Sequence, residues 1–248
     1  MSTSVSLNKK IIVIVGPTGS GKTGVGIEIA KKIGGEIISA DSRAIYRGMD
    51  IGTAKPSQEE QQGVPHFGLD LVDPGERFTV ADWKEYAEKK IEEIRGRGHI
   101  PIIVGGTGLY VDALVYDYQF GGRNMEAVDR RKSCINYLLI GVRWKTDKLR
   151  ERLKQRIDKM FTQELYGETT RLVEKYGWGS QAMKSNIYQF VWKYLNGEIS
   201  LDEAKRLSFY DDYHLAKRQI TWFKRNPEIH WLELEKICPF VLEYIQDE

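Results

Sequence analysis

Gly16-Pro17-Thr18-Gly19-Ser20-Gly21-Lys22-Thr23 follows the apolar run Ile11–Val15 and leads into Lys22–Ile33, a helix-patterned segment stopped by Gly34-Gly35. A short β-branched run, a glycine-rich turn and a helix, in that order, make a phosphate-cradling P-loop. The glycines let the backbone curl until several N–H groups aim at one anion, and the helix N-terminus adds its partial positive charge. Lys22 supplies a mobile full charge, and the Thr23 hydroxyl is placed to ligate a magnesium ion. Gly16, Pro17, Thr18, Gly19, Ser20, Gly21, Lys22 and Thr23 are therefore the expected phosphate-binding residues, and Thr23 the expected metal ligand. The loop specifies phosphate and says nothing of a base or a ribose. A kinase, an ATPase and an enzyme of an organic diphosphate can all use it.

Outward from the loop, short apolar runs alternate with helical patterns. Glu36–Ser39, Phe67–Val72, Ile100–Val104 and Tyr137–Val142 read as further strands, with Ile229–Leu234 as a last one. Thr79 is an expected N-cap with Asp82 three residues on. The helix after it places Val80, Trp83, Ala87, Ile91 and Ile94 on one face. Leu109–Val115, much of Lys145–Lys175, Asn186–Leu195 and Leu201–Arg225 read as helices. This order predicts an α/β fold, a P-loop NTPase-like parallel sheet with helices on both faces, plus a C-terminal helical portion. Tyr118–Asn136, polar and containing Gly121-Gly122, Arg123, Arg130, Arg131 and Lys132, interrupts the rhythm. The predicted organisation is a P-loop core over 1–117, a short excursion over 118–136, and the rest of the core with C-terminal helices over 137–248.

Bulk properties narrow the function classes. The chain has 248 residues, 41% hydrophobic and 29% charged, enough for one large domain or a core with an added lobe. A net charge of +2 confines any nucleic-acid surface to a local patch. The 2 cysteines, Cys134 and Cys238, form no metal-binding spacing and no disulfide framework, which suits a reducing cytosol. No apolar run approaches a membrane span, and Met1–Lys10 lacks the apolar stretch of a signal peptide. A cytoplasmic protein without a membrane partner is expected.

Ligands of such sheets bind at the carboxyl ends of the strands, where three predicted turns meet: the P-loop, Asp41 after the second strand, and Gly105-Gly106-Thr107 after the fourth. Asp41 can act as a base or hold magnesium through water, and an aspartate before a serine equally suits a turn or an N-cap. Gly105–Thr107 is a second anion-friendly turn, or plain strand-to-helix punctuation. Phe209, Tyr213, Ala216, Ile220 and Phe223 form an apolar stripe. His214, Lys217, Arg218, Thr221, Lys224 and Arg225 lie on another face, which suits a diphosphate, an RNA backbone or simply solvent. Arg152 and Arg156, four apart, share a face and have the spacing to clamp phosphate oxygens.

These pieces occur with other distinctive strings: Asp41-Ser42, Ile45-Tyr46, Gly48-Met49-Asp50-Ile51-Gly52-Thr53-Ala54-Lys55-Pro56, Val64-Pro65-His66, Val80-Ala81-Asp82-Trp83, Val104 through Tyr110, and Leu215-Ala216-Lys217-Arg218-Gln219-Ile220-Thr221-Trp222-Phe223. Together they resemble the tRNA dimethylallyltransferases, also called tRNA isopentenyltransferases. The resemblance covers most of Ile11–Tyr116 closely and Tyr137–Leu234 more loosely. It implies transfer of a dimethylallyl group from dimethylallyl diphosphate to N6 of the adenine beside the anticodon, with Mg²⁺. It implies Asp41 as the base and Thr107 at the target nucleotide. It implies that Asp41, Ser42, Arg43, Ala44, Ile45 and Thr107 contact the tRNA anticodon stem-loop, and that Arg218 joins the P-loop in holding the diphosphate. A monomer is expected.

Three departures accompany the resemblance. The family usually carries a helical insertion, with an Asn/Asp-Pro-Arg-Arg-like motif, where Tyr118–Asn136 is too short for several helices. An arginine that helps hold the diphosphate usually stands where this chain has Tyr213. A Gly-Tyr-Arg/Lys-like turn appears here as Ile187-Tyr188-Gln189. Lys217 and Arg218 are candidate substitutes for the missing arginine. The alternatives are transfer to a free adenine nucleotide, a nucleotide or metabolite kinase, and a weakened homologue that binds diphosphate or RNA.

Overall fold

The computed structural model describes residues 10–120, 136–179, 181–184 and 187–246. The run Ile11–Val15 lies in β1 (Lys10–Val15), every residue of which is buried. Ile11, Val13 and Val15 enter the core on one face of the sheet, and Ile12 and Ile14 the core on the other. Burial on both faces is what a nearly unbroken apolar strand requires. The other strands are β2 (Gly35–Ala40), β3 (His66–Phe67), β4 (Ile100–Gly105), β5 (Asn136–Arg143) and β6 (His230–Glu233). They form one parallel sheet in the order β3-β2-β4-β1-β5-β6. Val15 is level with Gly105 and Gly141, and Ala40 with Gly105, so the strands end on a common rim.

The helices are α1 (Lys22–Ile33), α2 (Gln58–Gln61), α3 (Val80–Gly96), α4 (Gly108–Val115), α5 (Thr146–Met160), α6 (Gln163–Tyr176), α7 (Gln181–Lys184), α8 (Tyr188–Leu195), α9 (Leu201–Phe223) and α10 (Leu234–Gln246). α3 and α4 cover one face of the sheet, and α1 and α10 the other. The predicted cap is present: Thr79 Oγ1 accepts from the Asp82 N–H at 3.3 Å, and Asp82 accepts from the Thr79 N–H at 2.7 Å. Helices α5 to α9 build a further core of Ile157, Leu165, Leu172, Met183, Tyr188 and Val191, and Met49 from the loop after β2 inserts into it.

Trp83 links the α3 layer to the rim. It is fully buried, stacks on Tyr110 at 4.7 Å, and donates through Nε1 to the Ser39 carbonyl at 3.0 Å. Trp83→Ala is expected to cost ~3–5 kcal/mol of stability. Urea unfolding measures this, and a loss near zero would show that the cavity closes without cost.

One expectation needs correction, and two stretches gain detail. The strand expected over Phe67–Val72 pairs only as His66–Phe67. Gly68 and Asp70 take positive φ and turn the chain out of the sheet, and Val72 makes an isolated bridge to Tyr46. The basic stretch Lys145–Lys175 divides into α5 and α6 at Phe161-Thr162, where Thr162 caps the second helix. Past β6 the chain forms α10 despite Pro239, because burying Ile237, Cys238 and Val241 against the α1 face outweighs the lost hydrogen bond. The last two strands and the α8 and α9 helices fall close to their expected places. Gly121, Gly122, Arg123, Arg130, Arg131, Lys132 and Cys134 lie outside the described residues.

Candidate active site

The P-loop closes as its glycines allow. Gly19 and Gly21 adopt φ of 73° and 84°, in the left-handed region that an L side chain resists. The Ser20 N–H and the Lys22 ammonium both donate to the Pro17 carbonyl, at 3.2 and 3.3 Å. Gly16, Pro17 and Ser20 are buried, while Thr18, Gly19, Gly21, Lys22 and Thr23 are partly open. Helix α5 and the residue before its cap hold the loop from outside. Trp144 Nε1 donates to the Ser20 carbonyl at 2.9 Å, Arg152 Nε to the Gly19 carbonyl at 3.1 Å, and Arg156 Nη1 to Thr18 Oγ1 at 2.6 Å. The Arg152 guanidinium also lies 4.7 Å from the Trp144 ring centre. The arginine pair read from spacing is thus placed against the loop, Arg156 half-buried and Arg152 still exposed.

The turn after β2 meets the turn after β4. The Ser42 N–H donates to Thr107 Oγ1 at 2.9 Å, the Thr107 hydroxyl donates to Ser42 Oγ at 3.1 Å, and the Thr107 N–H donates to the Ala40 carbonyl at 3.0 Å. Asp41 is half-buried, and its Oδ1 accepts from the Arg43 N–H at 2.9 Å. The turn role of Asp41 is therefore real, and it uses one carboxylate oxygen. Ala44 and Ile45 are buried, so within Ser42–Ile45 the side chains open to a partner are those of Ser42 and Arg43.

A cleft of about 1110 Å³ brings Lys22, Thr23, Asp41, His66, Arg152 and Arg156 together. Burial pushes the Lys22 ammonium below the ordinary lysine range; Asp41 opposes this, the Arg156 charge adds to it, and Asp212 opposes it. The Asp41 charge thus reaches Lys22 across the cleft. Burial also lowers His66, whose Nδ1 donates to the Val64 carbonyl at 2.8 Å. Arg218 is exposed, and its charge acts on Asp211.

Sequence reasoning weighed the charges in Lys217-Arg218-Gln219 and passed over the amide. Gln219 Oε1 accepts from the Thr18 N–H at 2.7 Å, and its Nε2 donates to the Gly106 carbonyl at 3.0 Å. This amide braces the P-loop against the Thr107 turn, and a β-carbon at Gly106 would strike it. Three residues on, Trp222 Nε1 donates to Asp112 Oδ2 at 3.0 Å. The long string after Asp41 is held as firmly. The Lys55 ammonium bonds the Tyr46 carbonyl at 2.8 Å and Asp50 and Asp70 at 2.6 Å each. Buried Glu168 accepts from the N–H groups of Ile51 and Gly52, at 2.9 and 3.0 Å, and from the Tyr188 hydroxyl at 2.5 Å. That string forms part of the cleft wall and is fixed through its backbone, which composition does not announce.

Comparison with known proteins agrees with this geometry. The family model "IPP transferase" matches residues 44–133 and 118–226, and "Isopentenyl transferase" matches 9–73. The tRNA dimethylallyltransferase of Pelotomaculum thermopropionicum is 34% identical, over 94% of this chain and 94% of that protein. The crystal structure of a tRNA isopentenylpyrophosphate transferase from Bacillus halodurans superposes with a TM-score of 0.85 at 31% identity, covering 96% of this chain and 97% of that one. A second, from Staphylococcus epidermidis, gives 0.86 at 32% identity and covers 97% and 100%. Family model, end-to-end relatives and fold all converge, and the chain belongs to the tRNA dimethylallyltransferase (IPP transferase) family.

Proposed function

We propose that this chain transfers a dimethylallyl group from dimethylallyl diphosphate to N6 of the adenine beside the anticodon of tRNA. One observation carries the reading: the phosphate loop with Lys22 and the carboxylate of Asp41 line one cleft, and the Asp41 charge acts on the Lys22 ammonium. The P-loop N–H groups and Lys22 hold the diphosphate and take up the negative charge that grows as the allylic C–O bond breaks. The lone pair of N6 forms the new C–N bond, and Asp41 accepts the proton that N6 loses. The free diphosphate is the leaving group. Ser42, Arg43 and Thr107 stand at the rim where the target nucleotide, flipped from its loop, would be received.

Thr23 and Asp41 offer only hard oxygen donors, which suit Mg²⁺. Among the described residues no group of three His, Cys, Asp or Glu side chains is placed to hold a metal, so phosphate oxygens and water would complete the shell. Bound there through Thr23, the ion would neutralise charge on the departing diphosphate.

The names of the relatives support tRNA as acceptor over a free nucleotide. We read the chain as a P-loop core over 1–117, a shortened segment over 118–136 and the rest of the core over 137–248. The alignment to the Pelotomaculum protein runs over 296 positions, more than the 248 residues here, which supports a shortening. The family model matching in two overlapping pieces, 44–133 and 118–226, supports placing it there. A monomer in the cytoplasm completes the reading; no described helix is long and apolar enough to cross a membrane. Incubation with labelled dimethylallyl diphosphate, Mg²⁺ and bulk tRNA tests it. Label is expected in a modified adenosine after nuclease digestion. Label in AMP or ATP but not in tRNA would assign the free-nucleotide reaction instead.

A further inference from the structure

Resting on the proposed acceptor site, we infer that Leu109 of α4 is a wedge, whose side chain fills the gap that the target adenine leaves in the RNA loop when it turns into the cleft. Leu109 is 38% exposed. The rest of α4 is buried or half-buried, with Tyr110, Val111, Leu114 and Val115 in the core. The one side chain that this helix offers to solvent is therefore apolar, at a position where the fold makes no demand for apolar surface.

Single exposed leucines are ordinary on a protein surface, and place is what sets this one apart. The other large apolar residues exposed among the described ones are Phe120, Leu195 and Tyr210. Phe120 lies past the far end of α4, Leu195 ends α8, and Tyr210 sits in the first half of α9. Leu109 is in the turn of helix that starts at the rim, just after the Thr107 cap. Thr107 is bonded to Ser42, beside Asp41. A base that passes Thr107 to reach Asp41 leaves its vacated place next to Leu109. Flipping exposes the faces of the neighbouring bases to water, and an apolar side chain in the gap covers them again.

A wedge must also be stiff. Gly108 presses on Trp222, where a β-carbon would stand 2.2 Å from Cδ1, and Trp222 is itself fixed by Asp112. On the other side Tyr110 stacks on Trp83, and its N–H donates to the Thr107 carbonyl at 3.0 Å. Leu109 thus projects from a backbone held on both sides. Its surroundings suit RNA. Lys217, Arg218 and Arg225 are exposed on α9, with the Arg225 guanidinium 5.7 Å from the Trp222 ring centre. Cations there meet phosphates, and the leucine meets base faces.

The probe is an anticodon stem-loop with 2-aminopurine in place of the target adenine. It lacks the N6 amine, so it is not a substrate, and its fluorescence rises when it leaves the stack. With the full chain at saturating RNA, Leu109→Ala is expected to cut that rise to less than about half. On the natural stem-loop the same variant should lose about tenfold or more in kcat/KM, with the KM for dimethylallyl diphosphate unchanged. Leu109→Met, which refills the gap, should restore both signals, and Leu109→Ser should not. A stem-loop with abasic positions on both sides of the adenine has no base faces to cover, so on it wild type and Leu109→Ala should agree within about threefold. Equal fluorescence for wild type and Leu109→Ala, or an equal loss on the intact and abasic stem-loops, would overturn the inference. Flipping does not require transfer. A wild-type chain that flips 2-aminopurine through Leu109 but prenylates no RNA would refute the function and leave the wedge standing. Transfer by wild type and Leu109→Ala alike would do the reverse.

Discussion

Asp41→Asn is expected to lower turnover by at least about a hundredfold while the affinity for dimethylallyl diphosphate stays nearly unchanged. Adenine N6 is a weak nucleophile because its lone pair is drawn into the ring, so a base that removes the proton as the bond forms acts mainly on kcat. Asparagine keeps the turn, since its side-chain oxygen still accepts the Arg43 N–H now bonded at 2.9 Å. It removes only the proton acceptor and the negative charge. The lost charge also reaches Lys22, whose pKa Asp41 holds up, so the variant should lose donor affinity at a lower pH than the wild type. Single-turnover transfer with saturating donor separates the two effects. Unchanged turnover would remove Asp41 from the base role.

The second large effect is at Lys22. Lys22→Ala should raise the KM for the donor by roughly ten- to a hundredfold, the range of one lost charge-assisted hydrogen bond, and lower kcat further, because charge builds on the diphosphate as it leaves. Binding needs the ammonium form. The pKa of Lys22 lies below its usual 10.5, so donor affinity in the wild type should fall as pH rises through that lowered value. Lys22→Ala should abolish this alkaline limb. A wild-type affinity that stays flat to the ordinary lysine pKa would mean that the bound diphosphate fully cancels the cost of burying the ammonium. An alanine variant with normal KM would place the donor elsewhere.

Much of the fold was legible because it follows from local chemistry. An apolar β-branched run before a glycine-rich turn has few other structures open to it, and the Thr79–Asp82 cap was a matter of spacing. The rim was legible for the same reason: parallel strands bring their carboxyl ends to one edge, so Lys22, Asp41 and Thr107 had to converge. The one misread strand has a conformational cause. Phe67–Val72 has the composition of a strand, and only the positive φ at Gly68 and Asp70 removes it from the sheet.

Side-chain partners far apart in sequence were not legible. Charge drew notice to Arg218, which is exposed, while the neutral Gln219 joins two turns more than a hundred residues before it. Nothing local to Asp212 announces that it meets Arg156 and Arg43. By itself, then, the chain's order of residues determined the sheet, the phosphate loop and the family, because these depend on backbone conformation and on apolar periodicity. Only the tertiary structure decided which cations stand at the loop and which carboxylates hold them. Such contacts depend on how helices from distant parts of the chain pack, and a hydrogen bond is made or lost over less than an ångström.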